Sequence, residues 1–158
     1  MNLPAKPALK DELLRVIEKN LEAAEQAHRA TMEAATHEEA KPENDKDTRA
    51  LEQSYVERGQ AKRVLDLEAA LEGTEKMVLR SFGEEDPIAL GALVFAAVDE
   101  DERTFFLAPA GGGHKVGDVQ IVTHEAPIGR ALLGKRVGDE AEILVAGKKR
   151  TLEIVRVE

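Results

Sequence analysis

The chain has 158 residues, of which 34% are charged and 42% are apolar, and its formal net charge at pH 7 is −9. This length fits one ordinary domain or two small ones, and the composition is typical of a soluble globular protein. A net negative charge argues against coating a nucleic-acid duplex, which requires a dense cationic face, so any contact with DNA is expected to be weak or indirect. The absence of cysteine excludes disulfides and thiolate metal sites.

The lack of membrane-span and signal-peptide patterns and the small number of aromatic residues exclude further classes of function. No stretch approaches the apolar length of a membrane span, and the N-terminus lacks the basic head, apolar run and cleavage site of a signal peptide. Four phenylalanines and one tyrosine leave little ring surface for stacking bases or lining a large ligand pocket. We therefore expect a cytoplasmic protein without a membrane association, whose partners are other proteins or cations.

The N-terminal part of the sequence predicts a coiled-coil arm over residues 1–73. Apolar residues recur at three- and four-residue steps, which predicts one helix from Ala8 towards Pro42, after the non-helical Pro4 and Pro7. A second helix is expected to start between Asn44 and Thr48 and to end at Gly73, a residue suited to a C-terminal position with φ > 0. A helix of about 28 residues is about 40 Å long. The turn between the helices is therefore expected to stand far from the rest of the protein.

The packing seam of the arm is predicted from the same periodicity. A single helix cannot bury its own apolar stripe, so the stripes of the two helices should pack against each other. The stripe of the first helix comprises Leu9, Leu13, Val16, Ile17, Leu21, Ala24, Ala27, Thr31 and Ala35. The predicted seam of the second helix comprises Leu51, Tyr55, Lys62 through its alkyl stem, Leu65 and Ala69, with Ala61, Val64, Leu67 and Leu71 beside it.

The turn at residues 36–47 is rich in carboxylates. Its acidic residues are Glu38, Glu39, Glu43, Asp45 and Asp47. Carboxylates are oxygen ligands for Mg²⁺, which usually takes only one or two of them from a protein. The simpler interpretation is a solvated polar turn, but helix folding alone does not require so many acids at the end of a long arm.

Residues 74–158 predict a small sheet domain with one short helix, so the fold class is α+β. The strands are predicted at residues 93–98, 104–107, 119–122, 141–145 and 150–157. In the last strand Leu152 and Ile154 should face one side, and Thr151, Glu153, Val155 and Val157 the other. Ala146-Gly147 should turn a hairpin between the last two strands. Pro127 should open a helix at residues 128–133 that ends at Gly134.

Residues 74–158, called here the body, contain no motif for independent catalysis. Gly111 to Lys115 lacks the Gly-Lys-Ser/Thr ending of a phosphate-binding P-loop and reads as a loop between strands. The four histidines lack metal-ligand spacing, and neither serine lies in a nucleophile elbow. Two basic clusters, Lys135-Arg136 and residues 148–150, read as a solvated face that could also dock an acidic surface.

The stretch Ala126 to Glu140, APIGRALLGKRVGDE, resembles the C-terminal signature of the Gre-type transcript cleavage factors of bacterial RNA polymerase. That signature reads Ser-Pro-x-x-x-Ala-Leu-Leu-Gly-Lys-x-x-Gly-Asp, and this chain has alanine where serine is usual. The order of the parts also resembles the family, which has a helical hairpin followed by an FKBP-like sheet domain.

The resemblance implies that the body docks at the rim of the secondary channel of RNA polymerase while the arm reaches the active centre. The implied docking residues are Pro127, Leu132, Leu133, Lys135, Arg136 and Asp139. The implied catalytic and metal-binding residues, Glu43, Glu39 and Asp45, would share a Mg²⁺ ion with the polymerase and act on the backtracked RNA 3′ end only indirectly. The factor itself would be a monomer with no cofactor of its own, and no enzyme in isolation.

The tip departs from the family motif Gly-Asp-x-x-Glu-Asn. Glu43-Asn44 matches its end, whereas Ala40 stands in the position of the aspartate, so Glu39 or Asp45 would have to replace it. A family member that enters the channel without supporting cleavage would act as an inhibitor or a competitor of other channel-binding factors. An FKBP-like peptidyl-prolyl isomerase, using Phe82, Phe95, Phe105 and Phe106, and a coiled-coil adaptor with an inert tip are further alternatives.

Overall fold

The structure is a computed structural model that describes residues 2–39 and 46–158. It consists of two long helices followed by a six-stranded sheet with one short helix, which confirms the predicted α+β class. The helices are α1 (Lys6–Glu39), α2 (Lys46–Lys76) and α3 (Pro127–Leu132), and the strands are β1 (Leu93–Val98), β2 (Asp101–Ala108), β3 (Lys115–Val116), β4 (Val119–Thr123), β5 (Glu140–Val145) and β6 (Lys148–Val157). Within the described ranges, none of the helices has the length and apolar character needed to cross a membrane.

The chain divides into two compact units. One unit, called here the sheet unit, comprises Met1–Arg15 and Gly73–Glu158, and the other, called the arm unit, comprises Val16–Glu72. The first residues of α1 thus group with the sheet, although the sequence assigned them to the arm. The predicted separation of an arm at residues 1–73 from a body at 74–158 stays a prediction.

The strands of the sheet unit lie in the order β3-β4-β2-β1-β6-β5. Among the described strands β2 and β4 pair in parallel, and the other neighbours are antiparallel. One face of the sheet packs into an apolar core together with α3. The buried members of this core are Phe82, Ile88, Ala92, Val94, Ala96, Val98, Phe105, Leu107, Val122, Leu132, Ile143, Leu152, Ile154 and Val157.

The predicted strands are present with nearly their predicted bounds, and two differences have clear causes. The sequence missed β3 because two residues are too few to show alternation. In β6, Val157 is buried with Leu152 and Ile154 rather than on the opposite face. The pairing register between β1 and β6 shifts between Phe95 and Ala96, so that β6 has an extra residue at Val155. Such a bulge reverses the alternation of facing side chains beyond it.

The start of α1 is also buried in the sheet unit, although its residues are not members of the core cluster described above. Leu9 and Leu13 are fully buried, as are Phe106 and Ile121 on the sheet. A Cβ atom at Gly111 would lie 2.3 Å from Leu13 Cδ1 and 3.7 Å from Ile121 Cγ2, so the Leu13 side chain fills the space above this turn. The helix begins at Lys6, earlier than predicted, with Pro7 in its first turn, where proline is tolerated because the first N–H groups have no helical acceptor.

This packing predicts a large effect at Leu13. We expect Leu13→Ala to lower the free energy of unfolding by about 2–5 kcal/mol, the usual range for removing a buried leucine side chain. Leu65→Ala removes the same atoms from a side chain that is 63% exposed and should change stability by less than about 0.5 kcal/mol. Urea unfolding of the full chain followed by circular dichroism measures both. Equal effects of the two substitutions would contradict the burial of Leu13 in the sheet unit.

Helix α2 does not end at Gly73 as predicted but continues to Lys76. Its C-terminal carbonyl groups have a partner that the sequence pattern does not reveal. The Lys10 ammonium donates hydrogen bonds to the carbonyl oxygens of Glu75 and Met77, each at 2.9 Å. A cation at the C-terminus of a helix satisfies its free carbonyl groups and interacts favourably with the helix dipole. The helix can therefore extend through a glycine that would otherwise be a suitable stop.

In the arm unit the two helices run antiparallel, but the predicted seam of α2 is wrong. Leu51, Tyr55 and Leu65 are 54%, 62% and 63% exposed. The residues predicted to lie beside the seam are the ones that lose solvent exposure instead, and they are Ala61, Val64, Leu67 and Leu71. Their side of the helix also carries two glutamines that bond to α1: Gln53 donates to the Thr31 carbonyl at 3.5 Å and Gln60 to the Ala27 carbonyl at 3.4 Å.

Candidate docking and cleavage sites

The predicted cleavage residues belong to the stretch of sequence from the last residue of α1 to the start of α2. Glu43 and Asp45 lie outside the described residues, and Glu39 is the last residue of α1, with its carboxylate outside the described part as well. Elsewhere in the described ranges no group of three or more histidine, aspartate or glutamate side chains could hold a metal ion. The assignment of Glu43, Glu39 and Asp45 to a shared Mg²⁺ site therefore stays a prediction.

The predicted docking signature is built on α3 and the turn that follows it. Pro127 occupies the start of the helix, as predicted, and Ala126 precedes it with extended backbone at φ −70° and ψ 153°. Because alanine has no side-chain oxygen, it makes no cap hydrogen bond. The backbone still turns tightly into the helix, since the N–H of Ala126 donates to the Thr123 carbonyl at 3.2 Å and that of Arg130 to the Ala126 carbonyl at 2.9 Å.

One side of α3 is pressed against the end of β4. Leu132 is fully buried in the core, so it supports the signature from beneath and cannot be a docking contact in this conformation. Gly129 lies so close to the backbone that an added Cβ would be 1.8 Å from the Thr123 carbonyl oxygen and 2.7 Å from its carbonyl carbon. Only glycine fits there without a backbone shift. Leu132 and Gly129 together fix the height of α3 above the sheet.

The turn after α3 is held by backbone hydrogen bonds to the segment before β1. Gly134 donates to the Ile88 carbonyl at 2.9 Å, and Ile88 donates to the Lys135 carbonyl at 2.8 Å. Gly134 has φ 79°, a backbone conformation that residues other than glycine rarely adopt. The anchoring residue Ile88 was not identified from the sequence, because the short apolar run from Ile88 to Leu90 gives no periodic signal.

Two of the predicted docking residues have structural roles in this turn. The Asp139 carboxylate accepts a hydrogen bond from the backbone N–H of Arg136 at 2.8 Å, which closes the turn. The Arg136 side chain donates through Nε to the Glu85 carbonyl at 2.8 Å. Asp139 thus acts chiefly on the fold, and Arg136 is exposed but already bound at one of its nitrogen atoms.

The part of the signature that remains open to a partner is small. Pro127, Arg130 and Leu133 are exposed and lie three residues apart, the first two on α3 and Leu133 as the residue that caps its C-terminus. We call these three residues the α3 surface. Leu133 is 37% exposed, whereas Lys135 is half-buried. Arg130 was not predicted, although an exposed cation in the last helical turn is a common feature of helix ends.

The remaining candidates have structural explanations. The Gly111 loop bonds to the neighbouring strand, since Gly113 donates to the Ile121 carbonyl at 3.1 Å and Ile121 donates to the His114 carbonyl at 2.8 Å. It is therefore the predicted loop between strands. In the basic cluster at residues 148–150, Arg150 is bound to Asp99. His124 lies beside α3 with Nδ1 buried and without a hydrogen-bond partner among the described residues.

The aromatic residues do not form an open pocket for a proline ring. Phe105 and Phe106 are fully buried in the sheet. Phe82 and Phe95 line a groove of about 500 Å³, but cations lie over both rings: Arg80 at 4.2 Å and Lys6 at 4.9 Å from the Phe82 centroid, and Arg156 at 4.0 Å from that of Phe95. These contacts occupy the ring faces.

Lys6 also lines this groove, and its ammonium group is bound within the protein. Burial lowers the pKa of its ammonium group, a change that the neighbouring Arg80 reinforces and Glu158 opposes. The same group donates to the carbonyl oxygens of Arg80 at 2.7 Å and Glu158 at 2.8 Å. Its role is to hold chain segments together, which leaves little in the groove to support the isomerase alternative.

Comparison with known proteins identifies the sheet domain. The family model described as "Transcription elongation factor, GreA/GreB, C-term" matches residues 85–158. The transcription elongation factor GreA of Halorhodospira halophila is 28% identical over 128 residues, which are 81% of this chain and 78% of the relative.

Two solved structures resemble the chain at lower identity. The GreA factor homolog 1 (Gfh1) of Thermus thermophilus is 18% identical over 92% of this chain and 94% of its own length, with a TM-score of 0.42. The elongation factor GreA/GreB of Nitrosomonas europaea is 24% identical over 58% of this chain and 78% of its own, with a TM-score of 0.39. Residues 85–158 thus match the C-terminal domain of the GreA/GreB transcription elongation factors, and 81% of the chain is similar to a GreA factor.

Proposed function

We propose that the protein binds RNA polymerase with its sheet unit and stimulates the cleavage of backtracked RNA with the acids at the end of its arm. The observation that carries this proposal is the combination of a match to the GreA/GreB C-terminal domain with an α3 surface that is exposed and flanked by backbone hydrogen bonds. Docking would occur at the rim of the secondary channel, and the arm would enter the channel. A monomer acting in the cytoplasm suffices for this role.

The chemistry would belong to the polymerase, and the protein would be an accessory factor. In a two-metal hydrolysis, one ion activates the attacking water and the other stabilises the leaving oxygen. The factor would supply Glu43, together with Glu39 or Asp45, as carboxylate ligands that hold the second Mg²⁺ of the polymerase and orient a water molecule. Because Mg²⁺ binds few protein carboxylates, one or two ligands are enough to change its occupancy.

A second candidate function is regulation of the polymerase without cleavage. The observation that favours it is Ala40, which stands where the family motif has an aspartate. A protein that docks in the same way but cannot complete the metal site would block the channel. Binding to core polymerase is expected in both cases, and cleavage of RNA in a stalled complex separates them.

Docking through the α3 surface predicts that Leu133→Asp weakens binding to core polymerase. An exposed leucine at the centre of a contact commonly contributes more than about 1 kcal/mol, and burying a carboxylate there adds a desolvation cost, so affinity should fall about tenfold or more. Leu144→Asp is the matched control, because Leu144 is 62% exposed on the edge strand β5. Both variants should unfold like the parent protein. Equal loss of binding in the two variants would contradict docking through α3.

A further inference from the structure

The outward side of α2 carries a second line of apolar residues. Leu51, Tyr55 and Leu65 are 54%, 62% and 63% exposed, and Val56 beside them is 52% exposed. No described residue covers them, because the inner side of the helix, with Gln53 and Gln60, is the one that bonds to α1. Large apolar side chains grouped on one face of a protein are a common feature of interaction sites.

The spacing of these residues is that of a helix-packing seam. Positions 51, 55, 58, 62 and 65 follow each other at alternating steps of four and three residues, the heptad pattern of coiled coils. Over the 14 residue steps from Leu51 to Leu65 this line extends for about 21 Å. We call Leu51, Tyr55, Arg58, Lys62 and Leu65 the outer stripe. Helix α2 thus carries two seams, one facing α1 and one facing outwards.

Gly59 is an independent indication that something approaches this side. It is an exposed residue inside α2, where glycine costs about 1 kcal/mol relative to alanine. An added Cβ would meet no described atom within 4 Å, so packing within the described part of the chain does not explain the glycine. It lies four residues after Tyr55 and three before Lys62, which places a notch beside the middle of the outer stripe. Small residues at such positions allow another backbone to come close.

The charges of the outer stripe indicate what kind of partner fits it. Arg58 and Lys62 stand at its centre, with apolar residues on both sides. Two copies of the chain packed through this stripe, in either direction, would bring these cations together. The contacts that the cations make within the chain are weak and exposed: Arg58 lies 5.6 Å from the Tyr55 ring centroid, and Lys62 pairs with Asp66 at 2.9 Å. Both cations can therefore turn to an external carboxylate.

We infer that the outer stripe is a docking surface for a helix of a partner protein that carries acidic residues opposite Arg58 and Lys62, flanked by apolar residues. The backbone of the partner helix would come closest at Gly59. The inference rests on the proposed function, which makes RNA polymerase the partner. It assigns to the arm unit a binding contact of its own, in addition to docking through α3.

Binding of full-length variants to core RNA polymerase tests the inference. Gly59→Ala should raise the melting temperature of the free protein, because alanine favours the helix, and yet lower polymerase affinity about tenfold. Leu51→Ser with Leu65→Ser should leave the melting temperature nearly unchanged and lower affinity by about tenfold or more. Arg58→Glu with Lys62→Glu should weaken binding at low salt most strongly. Met32→Ser is the control, since Met32 is 48% exposed on α1, and it should bind like the parent protein.

The outcomes separate this inference from the function on which it rests. If the parent protein binds polymerase and the outer-stripe variants bind equally well, the inference is wrong and the proposed function stands. If the parent protein does not bind polymerase, the proposed function fails and the assignment of this partner fails with it. Self-association of the parent protein that is lost in the Leu51/Leu65 variant would replace the proposed partner by a second copy and overturn the inference.

Discussion

Replacing Glu43 by glutamine should leave binding to RNA polymerase intact while RNA cleavage falls on the order of a hundredfold or more. Glutamine keeps the size and hydrogen bonding of the side chain but removes the charge that would hold the second Mg²⁺. Loss of a metal contact in the transition state commonly costs several kcal/mol, and each 1.4 kcal/mol corresponds to about tenfold in rate. The rate of release of the 3′ RNA fragment from a backtracked complex, measured at saturating factor, gives the effect.

The neighbouring acids provide the comparison. Glu39→Gln and Asp45→Asn, measured in the same assay, show which carboxylate acts in place of the aspartate that Ala40 replaces. Extra Mg²⁺ should partly restore a variant that has lost a metal ligand, because weaker coordination is offset by mass action. If Glu43→Gln cleaves as fast as the parent protein, Glu43 is not a ligand of the reacting metal.

A second large effect is expected at Gly129, where alanine should destabilise the sheet unit by about 3 kcal/mol or more. The added Cβ would lie 1.8 Å from the Thr123 carbonyl oxygen, and this atom belongs to the backbone, which cannot rotate away. Helix α3 would have to move off the end of β4, carrying Leu132 out of the core and displacing the α3 surface. Unfolding in urea measures the loss of stability, and polymerase binding well below the unfolding midpoint measures the displacement.

Gly134→Ala is the matched control for this substitution. Its Cβ would meet no described atom within 4 Å, so only the strain of φ 79° remains, which costs about 1 kcal/mol. The difference between the two variants isolates the clash at Gly129. A stability loss at Gly129 no larger than that at Gly134 would mean that α3 can shift at little cost.

Local sequence patterns predicted the strands close to their observed bounds, because apolar and polar residues alternate along them and specific residues occupy the turns. The hairpin between β5 and β6 is an example. Ala146 has φ 53° and Gly147 has φ 79°, which is the pattern of two successive left-handed residues that joins antiparallel strands tightly. Pro127 at the start of α3 was predictable for the same reason, since its fixed φ suits a first helical turn.

The end of α2 and the side of it that faces α1 depend on contacts between residues distant in sequence, which local patterns do not reveal. Helix α2 passes Gly73 because Lys10, distant in sequence, binds its last carbonyl groups. Its inner face was misassigned because Leu51, Tyr55 and Leu65 fit the heptad spacing as well as Ala61, Val64 and Leu67 do. Polar glutamines on the true inner face removed the apolar contrast by which periodicity distinguishes inside from outside.

For the docking site, the sequence identified the segment but not the role of each residue. The signature pattern treats Gly129 as a variable position, whereas its closeness to Thr123 requires glycine there. Leu132 supports the fold from within, Asp139 closes an exposed turn, and Leu133 is the leucine that faces outwards. Such distinctions depend on which elements lie beneath α3, and spacing along the chain does not contain that information.

The most direct test of the proposed function is cleavage of 3′-labelled RNA in a stalled, backtracked complex of bacterial RNA polymerase, measured with and without this protein. We predict that the protein accelerates release of a short 3′ fragment, that acceleration requires Mg²⁺, and that it saturates with factor concentration. Binding to the polymerase without any acceleration at any Mg²⁺ concentration would contradict the cleavage function and establish the protein as a non-cleaving regulator.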